Sequence, residues 1–148
     1  MFNKIVVVCV GNICRSPYGE AVLQKMLPEK YISSAGIMVD SSGLSENPAN
    51  ETAIKIASER DIDLTKHKAQ QLTKEMCLTA DLLLVMEPKH IGLLTDICPE
   101  AHGKTMLLSR WVEQVNSISD PHKKSDEMFR HVYEIIDQSC SKWAEKLK

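Results

Sequence analysis

Lys4-Ile5-Val6-Val7-Val8-Cys9-Val10-Gly11-Asn12-Ile13-Cys14-Arg15-Ser16-Pro17 decides how this chain is read. The apolar run from Ile5 to Val8 describes a strand covered on both faces, and Pro17 sits where the first turn of a helix accepts proline. A strand that turns sharply into a helix aims successive backbone N–H groups, and the helix's positive end, at one point, which is an anion site. Cys9 stands at the mouth of that site. Arg15 closes it with a planar fork suited to two phosphate oxygens. The residues between them allow the loop to wrap once around a tetrahedral anion. Gly11 permits backbone shapes barred to other residues, and Asn12 tolerates left-handed conformations. Ser16 is placed to hydrogen-bond the thiolate or to cap the helix. A thiol titrates near ~8.5, and a helix N-terminus with nearby cations lowers that by several units. The field that binds a phosphate dianion therefore also makes a nucleophile. The plain alternative, a small buried cysteine after a buried strand, leaves the Gly-Asn-x-x-Arg-Ser-Pro run without a purpose.

Outward from this stretch, strands and helices alternate. The periodicity predicts a strand over Lys4–Val8, a helix from Pro17 to about Leu27, and a short strand over Tyr31–Ala35. Asn47-Pro48 reads as the cap and first position of a helix lasting to about Arg60. A short helix starts near Thr73, the apolar run Asp81–Met86 is a buried strand, and Pro88 to about Cys98 is helical. Lys104–Leu108 is a fourth strand, and Ser109–Lys124 a long loop of the kind that usually carries function. Ser125 caps a last helix whose apolar face is Phe129, Val132, Ile136, Cys140, Trp143 and Leu147. Alternation of this kind implies an α/β domain with a doubly wound parallel sheet and helices on both faces. Ligands in such sheets bind beyond the carboxyl ends of the strands, which is where Cys9 falls.

The chain of 148 residues suits one domain over residues 1–148. Apolar content of 43%, charged content of 26% and a formal net charge of −2 are those of an ordinary soluble globular protein, with no global basic field for nucleic acid. No stretch approaches the ~20 apolar residues that span a bilayer, so the reading is of a cytoplasmic protein without membrane insertion. Five cysteines at irregular positions make no disulfide framework, and none is paired with histidines at zinc-binding spacing. Cys14, close to Cys9 in the loop, can trap an oxidised Cys9 as a disulfide; it serves equally as a small loop residue.

Cys9 to Pro17 resembles the signature loop of the low-molecular-weight protein tyrosine phosphatases, C-x5-R-S/T with Gly and Asn inside. Ser33-Ser34-Ala35-Gly36, His67-Lys68-Ala69 and Asp120-Pro121 match as well, and the similarity runs from Lys4 to about Lys146. The resemblance implies four parallel strands in the order 2-1-3-4, a phosphate-binding loop of Val10, Gly11, Asn12, Ile13, Cys14, Arg15 and Ser16, and no cofactor. It implies Cys9 as nucleophile, Arg15 as phosphate ligand, and Asp120 as general acid and then base. Asp-Pro is also a common turn dipeptide. Asn12, Ser16, Ser34 and His67 take the place of the family's supporting shell, and Ile13, Leu44 and His122 that of the pocket rim. His122 departs from the pattern, since many relatives carry an aromatic residue, commonly tyrosine, after Asp-Pro. Glu87 matches an acidic position near the loop arginine, and reads equally as a helix-start charge. His90, His102 and His131 read as surface or helix-face positions. Lys123-Lys124-Ser125 and Trp143-Ala144 resemble the bacterial branch associated with capsule and exopolysaccharide export. That branch acts on phosphotyrosine proteins, the tyrosine-rich tail of a membrane autokinase among them.

A thiol-dependent arsenate reductase shares such a loop but relays a disulfide through two further cysteines after the third strand. That region here reads Glu87-Pro88-Lys89-His90-Ile91-Gly92, and Cys77 and Cys98 stand isolated along the chain. A phosphopeptide-binding module without turnover would lack the nucleophile or the acid, and both are present.

Overall fold

Successive side chains of a strand point to opposite faces, and both faces of the first strand are buried. The structure, a computed structural model, describes residues 2–148 and leaves Met1 outside. Strand β1 (Lys4–Cys9) sends Ile5, Val7 and Cys9 into one core and Val6 and Val8 into the other. Strands β2 (Tyr31–Gly36), β3 (Leu82–Val85) and β4 (Thr105–Leu107) complete a four-stranded sheet in the order β2-β1-β3-β4. Every pairing in it is parallel.

Helices α1 (Arg15–Met26), α2 (Glu51–Glu59) and α5 (Asp126–Leu147) bury Val22 and Leu23, Ala53 and Ile56, and Phe129, Val132, Tyr133 and Ile136 in the Cys9-side core. On the other face, α3 (Lys74–Thr79) contributes Cys77 and α4 (Pro88–Ile97) contributes Leu94. The doubly wound α/β architecture and the strand order expected from the sequence are both present. The winding reverses at β1, whose neighbours are β2 and β3, so Cys9 stands at the switch point.

The start of α2 differs from the reading at Asn47-Pro48. Asn50 is the cap: its Oδ1 accepts from the N–H groups of Thr52 and Ala53 at 2.9 and 3.2 Å. Its own N–H donates to the carbonyl of Ile13 at 2.9 Å, so α2 starts where it is tied to the Cys9 loop. Asn47 instead uses its backbone to hold Leu44 and Ala69. Either asparagine can cap a helix; the tertiary tie selects the second.

Candidate active site

The turn from β1 into α1 leaves its helix end open. Asn50, Thr73 and Ser125 cap α2, α3 and α5 with side-chain oxygens, whereas at the N-cap of α1, Cys14, no side chain accepts a hydrogen bond. No acidic residue occupies its first turn. The first N–H groups of a helix have no intrahelical partner, so here they are left for an anion. Asn12 takes the left-handed backbone conformation, φ 57°. Gly11 faces Leu44 closely: a Cβ there would stand 3.1 Å from Leu44 Cδ1, and the leucine side chain would have to shift. Gly36, at the end of β2, lets the strand approach the loop, since a Cβ would lie 2.6 Å from the carbonyl oxygen of Val10.

At Cys9, 2% exposed, Ser16 Oγ lies 2.9 Å from Sγ and the Asn12 N–H donates to it at 3.3 Å. The direction of the hydrogen bonds behind Ser16 can be worked out from their far end. Ser34 Oγ donates to the Glu20 carboxylate at 2.6 Å, and so accepts from Asn12 Nδ2 at 3.0 Å. The Gln70 N–H donates to Asn12 Oδ1 at 3.0 Å, which fixes the amide's orientation. Asn12 Nδ2 also donates to Ser16 Oγ at 2.7 Å, leaving the Ser16 proton for the sulfur. Ser16 therefore serves the thiol rather than capping the helix. His67 Nε2 donates to the Asn12 carbonyl at 2.6 Å. The structure thus brings together Asn12, Ser16, Ser34 and His67. It adds Glu20, Gln70 and Tyr133, whose hydroxyl donates to the Cys14 carbonyl at 2.7 Å. For Glu20 a signal existed, one helical turn beyond Ser16 on the same face. Gln70 and Tyr133 carried none.

Arg15 is 2% exposed. Its Nη1 donates to Glu87 Oε2 at 2.7 Å and to the Ile118 carbonyl at 2.8 Å. Its Nη2 lies 3.9 Å from Asp120 Oδ2, and its Nε is buried without a partner, a donor still free for a ligand. Glu87 is thus next to the arginine, as its sequence position allows. His90 corrects the surface reading: it is fully buried. Burial, and then the Arg15 charge, push its pKa down to about 4, opposed by Glu87 and Asp120 and aided by Lys89. An unfolded chain protonates this histidine near ~6.5, so the unfolded state binds more protons between the two values. Stability supplied by neutral His90 is complete above pH ~6.5 and is lost as pH falls toward 4, by up to about 3 kcal/mol. Urea midpoints of wild type and His90→Asn should converge as pH falls from 7 to 4, while a constant gap across that window refutes the assignment.

Over the loop opens a cavity of about 330 Å³. Cys9 and Arg15 line it together with Ile13, Leu44 and Ser42, and Asp120 and His122 stand at its rim. Asp120 is half exposed, and its Oδ1 accepts from the His122 N–H at 3.0 Å. His122 Nδ1 lies 3.8 Å from Cys14 Sγ. Burial pushes the Cys14 thiol well up, with Cys9 and Asp120 adding to the shift. Cys77 and Cys98, isolated in sequence, lie side by side: burial and then Cys98 push the Cys77 thiol up to about 11. They sit in the core on the opposite sheet face from Cys9, which leaves no relay between them and the loop. Among the described residues no cluster of His, Cys, Asp or Glu is arranged to hold a metal ion, and no helix is long and apolar enough to cross a membrane.

A cysteine, an arginine and an aspartate face one anion cradle, and the whole chain is similar to known proteins. The chain is 47% identical over 148 residues, 100% of this chain and 99% of the other, to a putative low molecular weight protein-tyrosine-phosphatase of Klebsiella pneumoniae. It is 48% identical to the probable low molecular weight protein-tyrosine-phosphatase AmsI of Erwinia amylovora, with 99% of both chains covered. Among solved structures, that of Vibrio vulnificus Wzb in complex with benzylphosphonate matches with a TM-score of 0.96 and 52% identity, over 99% of this chain and 100% of that one. These names agree with the bacterial capsule- and exopolysaccharide-associated branch expected from the sequence. The model of the low molecular weight phosphotyrosine protein phosphatase family matches residues 4–148, and with a sheet and a cradle of this form the chain belongs to that family.

Proposed function

We propose that residues 1–148 form one catalytic domain that hydrolyses phosphotyrosine in proteins through a phosphocysteine intermediate. Ser16 and Asn12 pointing at Cys9 Sγ, where the open end of α1 meets the Arg15 fork, is the observation that carries this reading. In the first step the Cys9 thiolate attacks phosphorus, the P–O bond to the aryl group breaks, and Asp120 passes its proton to the leaving phenol. In the second, water attacks phosphorus, a new P–O bond forms as the S–P bond breaks, and the water's proton passes to the Asp120 carboxylate. Inorganic phosphate and the thiolate are released. Arg15 and the backbone N–H groups from Val10 to Arg15 hold the non-bridging oxygens throughout, so the charge of the phosphoryl group is met by the chain's own groups. The test is hydrolysis of p-nitrophenyl phosphate with a chelator present. Undiminished turnover is expected, and activity that appears only on adding a divalent metal ion would refute the mechanism.

Ile13, Leu44 and His122 form the walls against which the tyrosine ring packs. A place in exopolysaccharide regulation fits the relatives named AmsI and Wzb, and in this proposal the chain works in the cytoplasm with a membrane tyrosine autokinase as its phosphotyrosine protein substrate. Cys14 is the proposed redox partner of this site, reacting through the minor thiolate fraction that its burial leaves. Oxidation of Cys9 by peroxide to the sulfenic acid, followed by attack of Cys14 sulfur with loss of water, gives a disulfide that a thiol reductant reverses. Peroxide-treated wild type should regain activity with dithiothreitol, and Cys14→Ser should regain a small fraction of it. Equal recovery of the two proteins dismisses the role.

A further inference from the structure

Glu87 is the one carboxylate in hydrogen-bond contact with Arg15 among the described residues, and what holds Glu87 decides which edge of the guanidinium remains for a ligand. One carboxylate oxygen, Oε1, lies 3.9 Å from the ammonium of the mostly exposed Lys89. The other, Oε2, is shared: Arg15 Nη1 stands at 2.7 Å and His90 Nε2 at 3.4 Å. His90 is fully buried, and its ring is oriented from its other nitrogen, since the Glu87 N–H donates to Nδ1 at 3.3 Å. An accepting Nδ1 carries no proton, so in the neutral ring the proton is on Nε2. That N–H is buried, and no protein atom satisfies it at normal hydrogen-bond distance; Glu87 Oε2 is the acceptor beside it. Buried donors of this kind call for an explanation.

We infer that His90 is a positioning residue for the phosphate-binding arginine: its Nε2–H steadies the Glu87 carboxylate, and Glu87 in turn occupies Nη1 of Arg15, presenting Nε and Nη2 to the phosphoryl oxygens. The role rests on the phosphatase reading of the site, and it acts through binding rather than through a proton transfer of its own. Neutrality suits it. A protonated ring would carry a charge into a pocket that already holds Arg15, and burial together with that arginine keeps the proton off. The arrangement also gives the first turn of α4 a task that its exposed face does not show, because Pro88 and Lys89 point attention to solvent while the ring at the next position turns inward.

Two polar substitutions separate this role from mere capping of α4. In His90→Asn the side-chain amide reaches the place of Nδ1 but not that of Nε2. In His90→Gln the amide reaches the place of Nε2. The probe is inorganic phosphate, with its dissociation constant measured by calorimetry. His90→Asn should weaken binding roughly 3-fold to 10-fold, the range for a modest net hydrogen-bond contribution, and His90→Gln should recover most of that loss. In a Glu87→Gln background the two variants should bind phosphate alike. Equal affinities of the Asn and Gln variants in the wild-type background, or an Asn loss that persists undiminished with Glu87→Gln, overturns the inference. Should the Asn variant not fold, nitrogen NMR of the wild-type imidazole decides the matter: an Nε2–H tautomer supports the role, and an Nδ1–H tautomer or a charged ring refutes it. Phosphate binding is read without turnover, so a failed covalent mechanism and a failed His90 role give different results.

Discussion

Cys9→Ser is expected to abolish hydrolysis of p-nitrophenyl phosphate, a loss of roughly 10⁴-fold or more, as removal of a nucleophile elsewhere shows. The argument is one of chemistry rather than of shape. Serine fills nearly the same volume, keeps its contacts with Ser16 Oγ and the Asn12 N–H, and leaves the open end of α1 unchanged. What it lacks is an anionic nucleophile at neutral pH, because no base stands beside it to take the hydroxyl proton. Inorganic phosphate should therefore bind the variant about as well as it binds wild type. A Cys9→Ser protein that still turns over substrate would end the covalent mechanism. One that neither hydrolyses nor binds phosphate would show that the substitution destroyed the cradle instead.

Asp120→Asn should produce the second-largest effect, and one that depends on the leaving group. Phenolate is a poor leaving group, since tyrosine titrates near ~10, and a placed acid is worth about 10²- to 10⁴-fold. Phenyl phosphate hydrolysis should fall by that amount, and hydrolysis of an activated nitrophenyl ester by far less, because nitrophenolate leaves without a proton. Asp120 is suited to the work by place: it is half exposed at the rim, 3.9 Å from the Arg15 guanidinium and held by the His122 N–H. Equal losses for the two esters would remove Asp120 from the acid role and leave it an electrostatic neighbour of the arginine.

How much of this was legible in the chain depends on how locally each part is specified. The β1–loop–α1 unit is written in consecutive residues, so an apolar run, Asn12 and Pro17 suffice to read strand, turn and helix. The strand order came only with the family resemblance, because periodicity carries no record of which strands are neighbours. His90 stands four residues before the buried Leu94, a spacing that places it on the inward face of α4, but nothing local to the chain shows that its ring meets Glu87 beside Arg15. Tyr133 reaches the Cys14 carbonyl across 119 positions, and Gln70 meets Asn12 across 58. Contacts of that span are decided by packing. The second asparagine won the cap of α2 for the same reason.

An uncapped helix whose N–H groups converge on one point makes no distinction between the phosphoryl group of a substrate and the free phosphate left when turnover ends. Substrate and product therefore compete for one cradle, and the enzyme's working rate falls as the phosphate level of its surroundings rises. Heat tolerance rises with that level, because an occupant bound only to the folded chain adds RT ln(1 + [L]/Kd) to its stability.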